Sequence, residues 1–190
     1  MPWPKGRGCV KINSKFHTQK VVYLGFLIAL AIILTRVLSL RIAIGGVEGI
    51  RLGFGALPII FAGIAFGPMA GGIVGALSDV LGFFISPMGA YMPHFTLTSF
   101  LTGFIPGLLV FYVFKENRKF TILMLAIGVG QLISSVILVP VFLQMLFGVP
   151  FEAVIIPRIV SQAIHIPVYA YLSKILLGYN VIKSKETKAA

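Results

Sequence analysis

The chain has 190 residues, 58% of them hydrophobic and 11% charged, whereas a soluble globular domain is nearer half apolar and about a quarter charged. That balance excludes a water-covered globule, leaves lipid to cover much of the surface, and fits one compact bundle. The net charge of +11 sits in clusters beside the apolar runs, which excludes a basic nucleic-acid-binding face, and the single cysteine, Cys9, excludes internal disulfides.

Residues 1–20 carry Lys5, Arg7, Lys11, Lys15 and Lys20 and lack the apolar core and cleavage site of a secretory signal, so they are expected to form a basic cytoplasmic tail. A first helix is expected over 21–38. It contains Gly25 and Ala29, small residues four apart that let helices approach closely, either inside the bundle or against a partner protein. Arg36 falls at its outer end. Residues 39–53 form a long outer loop with Arg41 and Arg51.

The second helix, 54–67, would be about 21 Å long at 1.5 Å per residue, short of a ~30 Å hydrocarbon core. The preceding loop is therefore expected to fold back and complete the layer. Gly67-Pro68 divides this helix from a third over 70–86, because proline cannot continue a helix. Gly63, Gly67, Gly71 and Gly75 recur every four residues and lead to Asp79. An aspartate at the centre of a membrane helix costs ~2.5–3.5 kcal/mol on insertion scales. Asp79 therefore makes either an interhelical structural bond or a ligand contact in a water-accessible cavity.

Ser86-Pro87-Met88-Gly89 and Pro93 break the chain before a fourth helix over 96–114. In that outer loop Tyr91, His94 and Phe95 are placed to line a cavity mouth. Lys115, Arg118 and Lys119 make the next loop basic, and a fifth helix is expected over 121–146, with Gln131, Ser134 and Ser135 as a weak polar patch. Gly148-Val149-Pro150 separates it from the sixth helix, 154–177, whose first turn holds Pro157 and Arg158. Arg158, Gln162, His165 and Tyr169 recur at i, i+4, i+7 and i+11, a polar stripe that either closes an interhelical network or lines a polar pocket. Residues 179–190 are a second basic tail with Lys183, Lys185 and Lys188, so the membrane domain is 21–178.

The expected fold is thus an all-α integral membrane protein, a compact bundle of six transmembrane helices with a long first outer loop. Lysine is confined to the tails, the 115–119 loop and the end of the last helix, which places both termini in the cytoplasm of a multi-pass cell-membrane protein. The four arginines left over, Arg36, Arg41, Arg51 and Arg158, gather at the outer ends, and arginine's planar fork suits carboxylates. No Walker loop, dinucleotide fingerprint or HExxH motif occurs, and the histidines and cysteine lack metal-ligand spacing. A catalytic role, a cofactor and a metal are not expected.

The run Arg51-Leu-Gly-Phe-Gly-Ala-Leu-Pro-Ile-Ile-Phe-Ala-Gly-Ile-Ala-Phe-Gly-Pro68 resembles the second-helix signature of substrate-binding S components of energy-coupling factor (ECF) vitamin transporters. The likeness continues through Gly75, Ala76, Asp79 and Gly82, similar to the G-A-x-x-D-x-x-G element of folate-type S components, and through Gly89-Ala-Tyr-Met-Pro-His-Phe95. It departs from the folate-type loop at Met92 and His94, and covers about 21–177. The resemblance implies a subunit that binds a vitamin from outside, associates with a shared membrane subunit and two ATPases, and reorients in the membrane to release its load. It also implies docking of the shared subunit on the first helix, with Gly25 and Ala29 at the place of an A-x-x-x-A motif. For folate, Asp79 or Gln162 would take the pterin edge, Tyr91 and Phe95 would stack on its rings, and Arg36, Arg51 and Arg158 would hold the carboxylates; His94 at the mouth and His165 on the stripe are further substrate-binding candidates. Arg41 reads as interfacial. An S component for pantothenate or a pyrimidine precursor, or a structural membrane bundle, are the competing readings.

Overall fold

The computed structural model describes residues 14–36, 40–44, 47–85, 91–114, 119–148 and 150–178. These form six helices and one two-stranded hairpin. The first helix is Ser14–Arg36, the second Ala56–Phe66, the third Pro68–Ile85 and the fourth Pro93–Val113. The fifth runs through 120–147 and the sixth is Phe151–Gly178. Three of the six, Pro68–Ile85, Pro93–Val113 and Phe120–Leu146, are by themselves long and apolar enough to cross a membrane.

The breaks fall where the sequence places them, for steric reasons. Gly67 sits at φ 103°, a backbone region closed to most side chains, and Pro68 restarts the chain as the first residue of the third helix. Gly148 adopts the left-handed conformation at φ 63° and its N–H caps Gln144 O, which ends the fifth helix. The first helix starts earlier than expected, at Ser14. The sixth starts at Phe151, so Pro157 and Arg158 lie inside it rather than in its first turn.

Proline has a second effect here. The fifth helix widens into π turns over Leu132–Leu138, immediately before Pro140. A proline ring collides with the carbonyl four residues earlier and offers no N–H, and a wider turn relieves both faults. The fourth helix also has a π turn, over Leu109–Val113.

The short second helix lies at the centre of the bundle. Leu57, Ile59, Ile60, Ala62 and Ile64 are all buried, so apolar residues surround its whole circumference. One core cluster joins it to the fourth, fifth and sixth helices through Ile60, Ile64, Val110, Leu123 and Ile127. A second joins it to the first and third through Leu27, Ala31, Ile59 and Val74.

Glycine permits the closest contact. A Cβ on Gly63 would strike Gly103 O, one on Gly103 would strike Gly71 O, and one on Gly107 would come within 2.7 Å of Gly63 O. Of the recurring glycines, Gly63, Gly71 and Gly75 are therefore internal packing against the fourth helix, while a Cβ on Gly67 would meet nothing within 4 Å.

The outer loop forms an antiparallel hairpin, β1 (Leu40–Ile44) and β2 (Val47–Leu52), with a bulge between Ile42 and Ala43. β2 lies against the sixth helix, so the loop does fold back onto the bundle, as strands.

Candidate functional site

The polar stripe of the sixth helix faces inward. His165 is 6% exposed and Tyr169 2%, while Arg158 and Gln162 are half-buried. Gln162 Nε2 donates to Ser135 Oγ at 2.9 Å, and Gln162 Oε1 is buried without a hydrogen-bond partner. His165 Nδ1 lies 2.7 Å from Ser161 O. A carbonyl only accepts, so Nδ1 carries a proton there. Tyr169 OH donates to Gly53 O at 2.7 Å. The rings of Phe54, His165 and Tyr169 form an aromatic group, with centroids 5.3–6.5 Å apart.

The fifth helix supplies the opposite side, where two consecutive serines within its π turns bond two different neighbours. Ser134 accepts from Thr102 Oγ1 of the fourth helix at 3.0 Å, and Ser135 accepts from Gln162 of the sixth. Such wide turns recur at functional sites. Gln131, one residue before them, is 3% exposed. The patch that reads from sequence as weak is the crosspiece of three helices.

Asp79 belongs to a second group. Its Oδ2 accepts from Thr96 Oγ1 at 2.8 Å, and that oxygen lies 3.0 Å from Tyr91 OH. The interhelical bond weighed for Asp79 is thus present, between the third and fourth helices. Tyr91 is exposed and its ring tilts against Phe83 at 5.2 Å. One turn beyond Asp79, the Arg36 guanidinium covers Gly82, where a Cβ would meet its Nε at 3.2 Å. Phe95 is half-buried; its carbonyl accepts from Thr98 Oγ1 at 2.7 Å. His94 is exposed, and its ring lies 5.0 Å from that of Phe142.

Arg51 lies on β2, paired in register with Arg41 on β1. Gly25 and Ala29 are exposed, and a Cβ on Gly25 would meet nothing within 4 Å. That face of the first helix is open, unlike the packed glycines of the second and third. The structure therefore brings Gln162, His165 and Tyr169 together, and joins Tyr91 to Asp79 through Thr96. The groups that sequence reasoning missed are Thr96, Thr102, Phe54 and Gly53 O, each joined to its partner by long-range contacts. Among the described residues no cluster of histidine, cysteine and carboxylates could hold a metal ion.

A family model described as ECF-type riboflavin transporter, S component, matches residues 15–183. The chain belongs to the S-component family of ECF-type transporters. It is accordingly a multi-pass membrane protein, and the apolar residues on the outside of its helices, such as Phe26, Phe84 and Met145, face lipid. This S component is 38% identical over 152 residues to the folate transporter FolT of Clostridium novyi (strain NT), across 79% of its own length and 83% of that relative's. It is 26% identical over 182 residues to FolT of Leuconostoc mesenteroides, covering 93% and 94%. Its fold matches a crystal structure of FolT bound with folic acid with a TM-score of 0.72 at 26% identity, over 90% of this chain and 98% of that one. A biotin S component with a TM-score of 0.66 at 19% identity, covering 92% and 98%, shares the fold.

Proposed function

We propose that this S component binds folate on the outer side of the membrane and delivers it by reorienting on a shared transmembrane subunit driven by two ATPases, itself performing no catalysis. The observation that carries this reading is the 38% identity to a folate transporter over most of both chains. The family model's description names riboflavin. A family model spans members with different cargo, so the substrate follows the individual relatives.

The geometry supplies matching chemistry. Folate has a flat pterin with a hydrogen-bonding edge, an aromatic middle and two carboxylates. Gln162 takes the pterin edge, because its Oε1 is a buried acceptor awaiting a donor. The Phe54, His165 and Tyr169 rings close the deep end of the pocket, while Tyr91 and Phe95 offer ring faces at the mouth. Arg158, one turn outward of Gln162, holds a carboxylate, with Arg36 and Arg51 at the same end of the bundle. His94 forms the rim with Phe142. Asp79 holds the mouth in shape through Thr96. The open Gly25–Ala29 face receives the shared subunit.

Uptake of labelled folic acid by cells making this chain with an ECF module tests the proposal. Folate uptake that excess folic acid abolishes and excess riboflavin spares is the expected result. Riboflavin uptake without folate uptake would overturn it.

A further inference from the structure

Tyr91 is held at two points by one face of the third helix. Asp79 and Phe83 stand four residues apart on that helix, so they share a face. Phe83 lies against the Tyr91 ring, with centroids 5.2 Å apart. Asp79 meets the Tyr91 hydroxyl through Thr96, in the first turn of the fourth helix. The two bonds have one sense. Thr96 Oγ1 donates its single hydrogen to Asp79 Oδ2 at 2.8 Å, so toward Tyr91 OH, 3.0 Å away, it accepts. The relay therefore runs from Tyr91 to Thr96 to Asp79. Tyr91 is 43% exposed, so without Thr96 its hydroxyl turns to solvent and the ring is steadied by Phe83. We propose that Thr96 is a positioning residue of the vitamin site: by coupling Tyr91 to Asp79 it fixes the Tyr91 ring and so sets the rate at which bound folate leaves.

This inference rests on the folate reading, in which Tyr91 offers a ring face at the mouth, and adds the residue that aims that ring. A valine at 96 has nearly the shape of threonine but neither donates nor accepts, so it cuts the relay at its middle. A serine keeps the hydroxyl and with it both bonds. Tyr91→Phe keeps the ring and its contact with Phe83 but loses the donated hydrogen. Asp79→Ala differs from all three, because Thr96 then keeps its oxygen and still accepts from Tyr91. A ring at the mouth lies on the path of the departing ligand, and among variants of one binding surface most change in affinity is change in dissociation rate.

The test loads the purified full chain in lipid nanodiscs with labelled folic acid and times its release into excess unlabelled folic acid. The wild type, Thr96→Val, Thr96→Ser, Tyr91→Phe and the double variant Thr96→Val with Tyr91→Phe are compared, with the melting temperature of each measured without ligand. Thr96→Val is expected to speed release by about twofold to tenfold, the worth of one hydrogen bond. Thr96→Ser restores the wild-type rate. Tyr91→Phe speeds release as much as Thr96→Val, and the double variant is no faster than either, because both changes cut the same relay. Unchanged release in Thr96→Val, whatever its melting temperature, overturns the positioning role and leaves the folate reading standing. So do a Thr96→Ser variant as fast as Thr96→Val and a double variant in which the two effects multiply. Failure of the wild type to bind folic acid overturns both.

Discussion

Tyr169 in the middle of the sixth helix donates its phenolic hydrogen to the carbonyl of Gly53 at 2.7 Å, bridging 116 positions of sequence. The bond pins the end of the hairpin to the sixth helix, beside Phe54. Tyr169→Phe removes the donor and leaves a carbonyl without its partner, a loss of about 1–3 kcal/mol. A melting temperature lowered by several degrees, with faster protease cleavage in the 40–52 hairpin, is expected; unchanged cleavage would mean that the loop is held elsewhere.

Glycines at two sites should behave oppositely. Gly103→Ala drives a methyl into the Gly71 carbonyl, and neither backbone can retreat without moving a helix. Overpacking of this kind costs about 1–3 kcal/mol, so poor yield and a lowered melting temperature are expected. Gly25→Leu meets open space and should leave both melting and folic acid binding intact while reducing co-purification with an ECF module and uptake. Full uptake by the Gly25→Leu variant would remove the docking role of that face.

Asp79 should matter to stability more than to affinity. Asp79→Ala deletes the acceptor of the Thr96 hydroxyl and costs about 1–3 kcal/mol of folding stability. Folic acid affinity should fall by no more than a few-fold. Loss of affinity beyond a hundredfold at an unchanged melting temperature would return Asp79 to the ligand.

Arg158 should read only the charged end of the vitamin. Arg158→Leu should weaken folic acid by about tenfold to a hundredfold and leave pteroic acid, which lacks the glutamate, nearly unaffected. Arg158→Lys should restore little, because a point charge does not replace a planar fork. Equal weakening of both compounds would place Arg158 in the framework.

Much of this was legible in the sequence, for identifiable reasons. Proline and glycine at 67–68, 93 and 148–150 divide the apolar runs sharply, so the six helices follow from steric rules. The start at Ser14 is not readable, because residues 14–20, polar except for Phe16, carry no apolar pattern and the helix propagates through them. The hairpin left a signal that reading the segment as a loop passed over: Gly45-Gly46 stands between two short runs with β-branched residues, a two-residue turn pattern. The sixth-helix stripe was legible from its spacing. Its partners were not, since which helices Ser134 and Ser135 meet is set by the packing of the fourth and sixth helices against the fifth. The packed glycines and the open Gly25 share one spacing, and only tertiary contacts tell them apart.

The most direct test is a calorimetric titration of the purified chain with folic acid, with riboflavin titrated in parallel. Saturable binding of one folic acid per chain, with no riboflavin heat, is the expected result. Saturable riboflavin binding with no response to folic acid would contradict a pocket built on Gln162, His165 and Arg158 for a pterin with a carboxylate tail.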